Sequence, residues 1–193
     1  MSMRPLSYQN EPDEDLLPAL ADGSSAAFDE LYKRYGQKMF SYFFRMLWKN
    51  KELAEDQVQE LFLKIINHAG KFEKEKSFST WLYSIAHNMC KNEYRKEEVR
   101  MKHAKNKPNE NIAASAGKNL DLQKFKVAVA NCIQQLTEEK RALFILRFQE
   151  NLSVPDISQV LNIPEGTIKS RLFYLLKEMK EELNSFKTIH LYP

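Results

Sequence analysis

Apolar residues recur at steps of three and four along most of the chain. Phe28, Leu31, Tyr32, Tyr35, Met39, Phe40, Phe43, Phe44 and Leu47 trace one broad helical face. Asp22-Gly-Ser-Ser stands just before it and offers cap chemistry. A second helix carries Leu53, Val58, Leu61, Phe62 and Ile65, with Glu52, Glu55, Asp56, Gln59 and Glu60 mostly on the other side. A third is predicted from about Ser79 to past Arg95, burying Trp81, Leu82, Ile85, Ala86 and Met89. Between the last two, HAGKFEKEKSFS contains glycine and charge and predicts a loop or a short turn.

From about Val99 the pattern stops. MKHAKNKPNENIAASAGK is polar, small and nearly free of large apolar groups, the composition of a flexible linker. Lys102, Lys105 and Lys107 keep its first half basic. Helical spacing then resumes with a stripe of Leu122, Phe125, Val129, Cys132 and Leu136. Thr137-Glu138-Glu139 predicts a helix start, with Ala142, Leu143, Ile145 and Leu146 behind it. Two short helices follow, Val154 to Leu161 and Glu165 to about Leu183. No internal repeat or low-complexity block is present. The expected fold is all-α, with two small helical domains joined by a flexible linker.

Composition supports this. Only 5 glycines and 7 prolines occur in 193 residues, few for a strand-rich chain. A hydrophobic share of 43% and a charged share of 28% fit an ordinary soluble protein. The net charge of +3 is mild, so any basic surface must be local. The two cysteines, Cys90 and Cys132, make neither a disulfide framework nor a CxxC pair, which suits a reducing cytoplasm. His87-x-x-Cys90 has no second half and is better explained by helix packing than by a metal. No apolar run approaches the ~20 residues of a membrane span. The N-terminus lacks a signal-peptide core. A cytoplasmic protein without membrane insertion is expected.

Candidate chemistry lies at both ends. In the C-terminal half, Ser153 is a natural N-cap with Pro155 in the first turn. Ile157, Val160 and Leu161 point inward. Asn162 tolerates a left-handed helix end, and Pro164 blocks continuation. The next helix opens at Glu165-Gly166-Thr167, with Ile168, Leu172, Leu175, Leu176 and Met179 as its inward set. Two short helices around such a turn predict a helix-turn-helix, whose second helix enters the major groove. Its outward residues are Thr167, Lys169, Ser170, Phe173 and Tyr174, with Arg171 flanking. Lys169 suits guanine or phosphate, Ser170 either base type, and Phe173 a thymine methyl. A plain helical hairpin with a solvated basic face is the competing explanation.

In the N-terminal half, SFSTWLYSIAHNMCKNEYRKEEVR alternates aromatics with amides and bases. Phe78, Trp81, Tyr83 and Tyr94 can stack on unpaired bases, and Asn88 and Asn92 can read a splayed base edge. Lys91, Arg95 and Lys96 can track phosphates. A duplex has no free base faces, so this composition points to single-stranded DNA or to melting. The competing explanation puts the aromatics in the core and the charges on a solvated face.

Three stretches in this order, AEDQVQELFLKIINH, FSTWLYSIAHNMCKNEYRKE and LSVPDISQVLNIPEGTIKSRL, resemble a bacterial sigma factor of the sigma-70 family. The resemblance is to the short extracytoplasmic-function class, with only regions 2 and 4. It covers about Asp15 to Arg100 and Phe125 to Leu183. It implies a region 2-like domain over residues 15–98, a linker over 99–119, a region 4-like helix-turn-helix domain over 120–184, and a tail over 185–193.

The resemblance implies partners and roles. Core RNA polymerase would be bound through its β′ clamp coiled coil and β flap, with Asp56, Gln59, Glu60 and Phe62 at the clamp-matching positions. An acidic amphipathic helix suits a basic coiled coil. The −10 element would be read as single strand with a flipped base by Phe78, Trp81, Asn88, Lys91, Asn92 and Arg95. The −35 element would be read as duplex by Lys169, Ser170, Phe173 and Tyr174, with Arg171 and Arg147 on phosphates. The linker would run toward the RNA exit path. An anti-sigma factor, wedged between the two domains, is a usual partner in the family.

Departures exist. Asn92 stands where relatives often carry Asp, which alters base preference and keeps the role. Tyr174 stands where many relatives carry a basic residue, Ser158 where many have Ala, and Asn162 where many have Gly. Fewer positive charges predict a weaker duplex reader. The competing function is a free-standing helix-turn-helix regulator with an N-terminal helical sensing domain. An enzyme is not expected: no metal-ligand pairs, phosphate-cradling glycine loop or nucleophile–base pattern stands out. No cofactor is implied.

Overall fold

The computed structural model describes residues 8–103 and 120–186. Helices make up its regular structure, and no strand occurs among the described residues. The chain divides into two units, and the main division falls between Lys96 and Glu97, inside a helix.

The first unit begins with α1 (Asp13–Ala21), nine residues that bury Leu16, Leu17 and Leu20. So short a helix is not stable alone and depends on that burial. Asp13, Glu14 and Asp15 occupy its first turn, where negative charge suits the helix dipole. Gly23, at φ 85°, carries the chain round to α2 (Ser25–Met46). Ser24 is the N-cap expected there, its Oγ accepting from the Ala27 N–H at 3.3 Å. α2 buries Leu31, Tyr35, Met39, Tyr42, Phe43 and Met46. Tyr32, expected on this inward face, is exposed. Its ring instead lies over Gly36, where an added Cβ would come within 3.3 Å.

α2 and α3 (Lys51–His68) pack closely as an antiparallel pair. Trp48 and Lys49 take positive φ, 53° and 57°, to make the turn between them. Asn50 caps α3 by accepting the Leu53 N–H at 3.0 Å. A single 3-10 turn, Ala69–Lys71, follows, then a loop to α4 (Phe78–His103). α4 buries Leu82, Ala86 and Met89 as expected, while Trp81 and Ile85 are half-buried. It continues to His103, through the first residues of the stretch expected as linker. The rest of that stretch, and the end of the tail, lie outside the described residues.

The second unit contains α5 (Leu120–Gln135), α6 (Glu138–Phe144), α7 (Val154–Leu161) and α8 (Glu165–Glu182). Thr137 caps α6 weakly, accepting the Lys140 N–H at 3.5 Å. Arg141 reaches back to the end of α5 and donates to the carbonyls of Gln134 at 2.8 Å and Leu136 at 3.0 Å. These are helix-end acceptors that would otherwise need water. α6 runs into a π turn over Ile145–Gln149. Ala142, Leu143, Ile145, Leu146, Ile157, Ile168, Leu172, Leu175 and Met179 form the core of this unit. Leu161 is only half-buried and Leu176 is exposed, so the inward sets are narrower than the spacing suggested.

Candidate nucleic-acid interface

The turn between α7 and α8 is built from four side-chain decisions. Ser153 and Asp156 cap α7 reciprocally: the Asp156 N–H donates to Ser153 Oγ and the Ser153 N–H to Asp156 Oδ2, each at 3.2 Å. Asn162 ends α7 at φ 54°, the left-handed conformation that Asn tolerates. Ser158 Oγ donates to the Ile163 carbonyl at 2.6 Å and pins the turn from α7. Pro164 then stands at the N-cap of α8. The Ser158 bond has no counterpart in apolar spacing, so the pattern alone could not show it.

On α8, Lys169, Ser170, Arg171, Phe173 and Tyr174 are all exposed. Phe173 and Tyr174 are 65% and 66% exposed, and their rings meet edge to face at 5.5 Å. Large aromatics so far out of the core need a reason other than packing. The cations beside them are engaged. Lys169 pairs with Glu165 at 3.8 Å, and Arg171 with Glu139 on α6 at 3.1 Å. Ser170 Oγ donates to the Thr167 carbonyl at 3.0 Å and keeps its lone pairs outward. Arg147, expected on a phosphate, is half-buried and donates to the Leu152 carbonyl at 2.9 Å. It ties the π turn to the segment entering α7, so it holds the motif together from inside.

On α4, Asn88, Lys91, Asn92 and Arg95 are exposed. Their spacing, i, i+3, i+4 and i+7, makes one continuous stripe. Trp81 lies two turns before Asn88, half-buried, with its ring against Phe72 at 5.2 Å and Phe78 at 6.0 Å. Phe72 belongs to the loop before the helix, so loop and helix share one aromatic contact.

Three aromatics proposed for base stacking are not available. Phe78 has no exposed surface and packs edge to face on Tyr35 at 5.2 Å. Tyr83 and Tyr94 are buried as well. Tyr42 takes the edge-to-face contact of Tyr83 at 5.4 Å, and Tyr94 donates its hydroxyl to the Met46 carbonyl at 2.5 Å. Spacing told an aromatic from an amide but not which side of the helix would meet α2.

His87 sits inside the same helix, between the stripe and the core. Burial pushes its imidazole down to about 4, and Lys91 adds to the effect. Its Nδ1 is buried without a hydrogen-bond partner, so the ring stays neutral at ordinary pH. Cys90 beside it is fully buried.

α3 presents Asp56, Gln59 and Glu60 outward, as expected of the acidic face. Phe62 is not part of that face. It is buried in a cluster with Tyr32 at 4.9 Å and Phe28 at 5.9 Å. Two other residues take the apolar share. Leu63, 60% exposed, and Ile66, 38% exposed, continue the outward stripe from Gln59 at steps of four and three. That step from Gln59 was legible, but a leucine and an isoleucine are core by default. A shallow groove joins the two helices, with Glu60 and Lys64 on one wall and Asn92, Arg95 and Lys96 on the other. Lys64 pairs with Glu60 at 2.8 Å, and Lys96 with Glu93 at 2.6 Å.

Comparison with known proteins follows this division. A family model for sigma-70 region 2 matches residues 31–100, and one for sigma-70 region 4 matches residues 126–179. The chain is 31% identical to the RNA polymerase sigma-H factor of Pseudomonas aeruginosa, over 84% of this chain and 89% of that protein. It is 30% identical to the ECF RNA polymerase sigma-E factor of Haemophilus influenzae, over 83% of this chain and 89% of that protein. Among solved structures it resembles CnrH in complex with the cytosolic domain of CnrY, at TM-score 0.66 and 19% identity, covering 90% of this chain and 97% of that one. It also resembles RpoE in complex with the anti-sigma factor NepR from Bartonella quintana, at TM-score 0.62 and 23% identity, covering 88% and 92%. These two likenesses are of fold.

Proposed function

The chain belongs to the sigma-70 family of RNA polymerase sigma factors, in its extracytoplasmic-function class, and from that premise we propose how its surfaces divide the work. It binds core RNA polymerase, directs it to specific promoters and helps melt the −10 element. Such a protein is an initiation factor and not a catalyst. The free-standing regulator is the weaker alternative, because matches to regions 2 and 4 span both halves of the chain.

In this division α3 docks on polymerase through Asp56, Gln59 and Glu60, with Leu63 and Ile66 adding apolar contact. α4 takes the −10 element as single strand. Trp81 offers a partly open ring, Asn88 and Asn92 read base edges, and Lys91 and Arg95 follow the backbone. α8 reads the −35 duplex through Lys169, Ser170, Phe173 and Tyr174, with Arg171 at the phosphates. Phe62, Phe78 and Arg147 serve the fold. The observation that carries this assignment is the α4 stripe: amides and cations together on one exposed face, with the interleaved aromatics turned inward.

The energetics are consistent with a weak, tethered reader. Phosphate neutralisation supplies most non-specific DNA affinity. On α8, Lys169 and Arg171 already face carboxylates. A weak duplex reader suffices once α3 holds the chain on polymerase, because the second binding event is then intramolecular. A cytoplasmic location and an anti-sigma partner belong to the same proposal. No helix among the described residues is long and apolar enough to cross a membrane.

The test is transcription in vitro. Core polymerase with this chain should start transcripts from a promoter set that core alone ignores. Tight operator binding without polymerase, and no initiation with it, would refute the assignment.

A further inference from the structure

The roles above leave α1 without a task, yet its first turn holds three elements at once. Asp13 accepts from Arg34 Nη1 at 2.6 Å and from the Tyr35 hydroxyl, both on α2. Arg34 also donates to the carbonyls of Glu11 at 2.8 Å, Tyr8 at 2.7 Å and Gln9 at 3.1 Å, which fixes the segment leading into α1. Asp15 pairs with Lys74, in the loop before α4, at 3.7 Å. Glu14 Oε1 accepts the backbone N–H of Phe78 at 2.8 Å, across 64 residues of sequence.

Phe78 is the first residue of α4. Its N–H is one of the four donors that a helix cannot satisfy internally. Ser77, the residue before, contacts the Ser79 hydroxyl at 2.9 Å and accepts the Thr80 N–H at 3.5 Å, neither of which meets the Phe78 N–H. The Phe78 N–H is therefore satisfied from outside the helix, by a carboxylate at the positive end of the helix dipole. Trp81 lies within the same first turn and packs on Phe72 across the loop at 5.2 Å. Moving that turn moves the ring.

We propose that α1 is a fixed bracket for the loop before α4 and the first turn of α4, and that Glu14 is its positioning residue for capture of the −10 strand. The proposal rests on α4 being the −10 reader. Glu14 touches no DNA. It holds Trp81 and the loop in place before the base arrives, so that no binding energy is spent on ordering them.

The experiment uses the full chain in reconstituted holoenzyme, on a promoter fragment that the wild-type holoenzyme opens. Open complexes are followed by permanganate reactivity after a heparin challenge, and core affinity is measured in parallel. Glu14→Ala should shorten open-complex lifetime about fivefold or more, as expected for a lost charge-assisted hydrogen bond. Core affinity should stay within about twofold of wild type on the same argument. Glu14→Gln keeps an acceptor at the same reach but loses the charge, and should fall between wild type and Glu14→Ala. Glu14→Asp keeps the charge but falls short by about 1.5 Å, one C–C bond, and should behave like Glu14→Ala. Asn88→Ala reports on α4 itself. If Asn88→Ala collapses open complexes and Glu14→Ala does not, the bracket is wrong. If Glu14→Ala lowers core affinity in the same proportion as lifetime, Glu14 serves only the fold and the proposal is overturned. If neither variant matters, the assignment of α4 fails and the bracket with it.

Discussion

Replacing Tyr94 with phenylalanine separates two roles for one ring. From its place among amides and bases, Tyr94 reads as a stacking platform for DNA. In the fold it is buried, its hydroxyl donating to the Met46 carbonyl at 2.5 Å and its ring meeting Trp48 edge to face at 5.3 Å. Met46 is the last residue of α2, so that carbonyl lacks an intrahelical partner. Tyr94→Phe keeps the ring and its contact with Trp48 but strands the carbonyl in a buried place. An unmet buried acceptor costs about 1–3 kcal/mol. In a domain of this size about 1 kcal/mol moves Tm by roughly 4–8 °C. A drop of roughly 4–24 °C is therefore expected in thermal unfolding followed by circular dichroism. Well below the transition, holoenzyme carrying Tyr94→Phe should open promoters as the wild type does. A stacking role predicts unchanged stability, because phenylalanine stacks too. An unchanged Tm would refute the buried hydrogen bond as a source of stability. Failure to open promoters while fully folded would give the Tyr94 hydroxyl, and not a stacking ring, a direct part in opening.

Other expectations follow from the same geometry. His87 binds a proton near pH 6.5 when unfolded but resists until about 4 when folded. Stability should be level above neutrality and fall as pH drops through that window, by about 3 kcal/mol in full. Urea midpoints for wild type and His87→Gln at pH 7 and 4.5 check this: the variant should lose less on acidification. Asn162→Val places a β-branched residue at φ 54° and should cost about 1–2 kcal/mol in chemical denaturation, whereas Asn162→Gly should not destabilise. Asn88→Ala should impair promoter opening and leave core binding intact; equal loss of both would indicate a folding defect. Lys169→Ala should change base preference at the −35 element in a binding selection, a bidentate contact being worth about 1–3 kcal/mol of discrimination. Uniformly weaker binding with unchanged preference would make Lys169 a phosphate contact.

Much of this protein is legible without coordinates. Steps of three and four predict α2, α3, α4 and the helix pair α7–α8, because one face of each must leave water. Ser24, Ser153 and Asn162 do in the fold what their chemistry suggests at helix ends. α1 was not legible. It is nine residues long with Pro18 inside, and its three buried leucines form a helix only against other helices.

The candidate site divides along the same line. Exposed polar residues are readable, because Asn88, Lys91, Asn92 and Arg95 share a helical stripe and gain nothing from burial. Aromatic and long apolar residues are not, because the same side chain suits the core or a partner. Only packing places Phe62, Phe78 and Tyr94 inside and leaves Leu63 and Ile66 out, whereas Phe173 and Tyr174 already fell outside the inward set of α8 by spacing. Contacts far apart in sequence are a matter for tertiary structure alone. Glu14 at the first turn of α4 and Arg171 beside Glu139 depend on where helices meet. Local sequence sets which helices form and which of their ends are capped. The angle at which their apolar faces settle decides which aromatic is core, which is surface, and which carboxylate reaches a distant helix end.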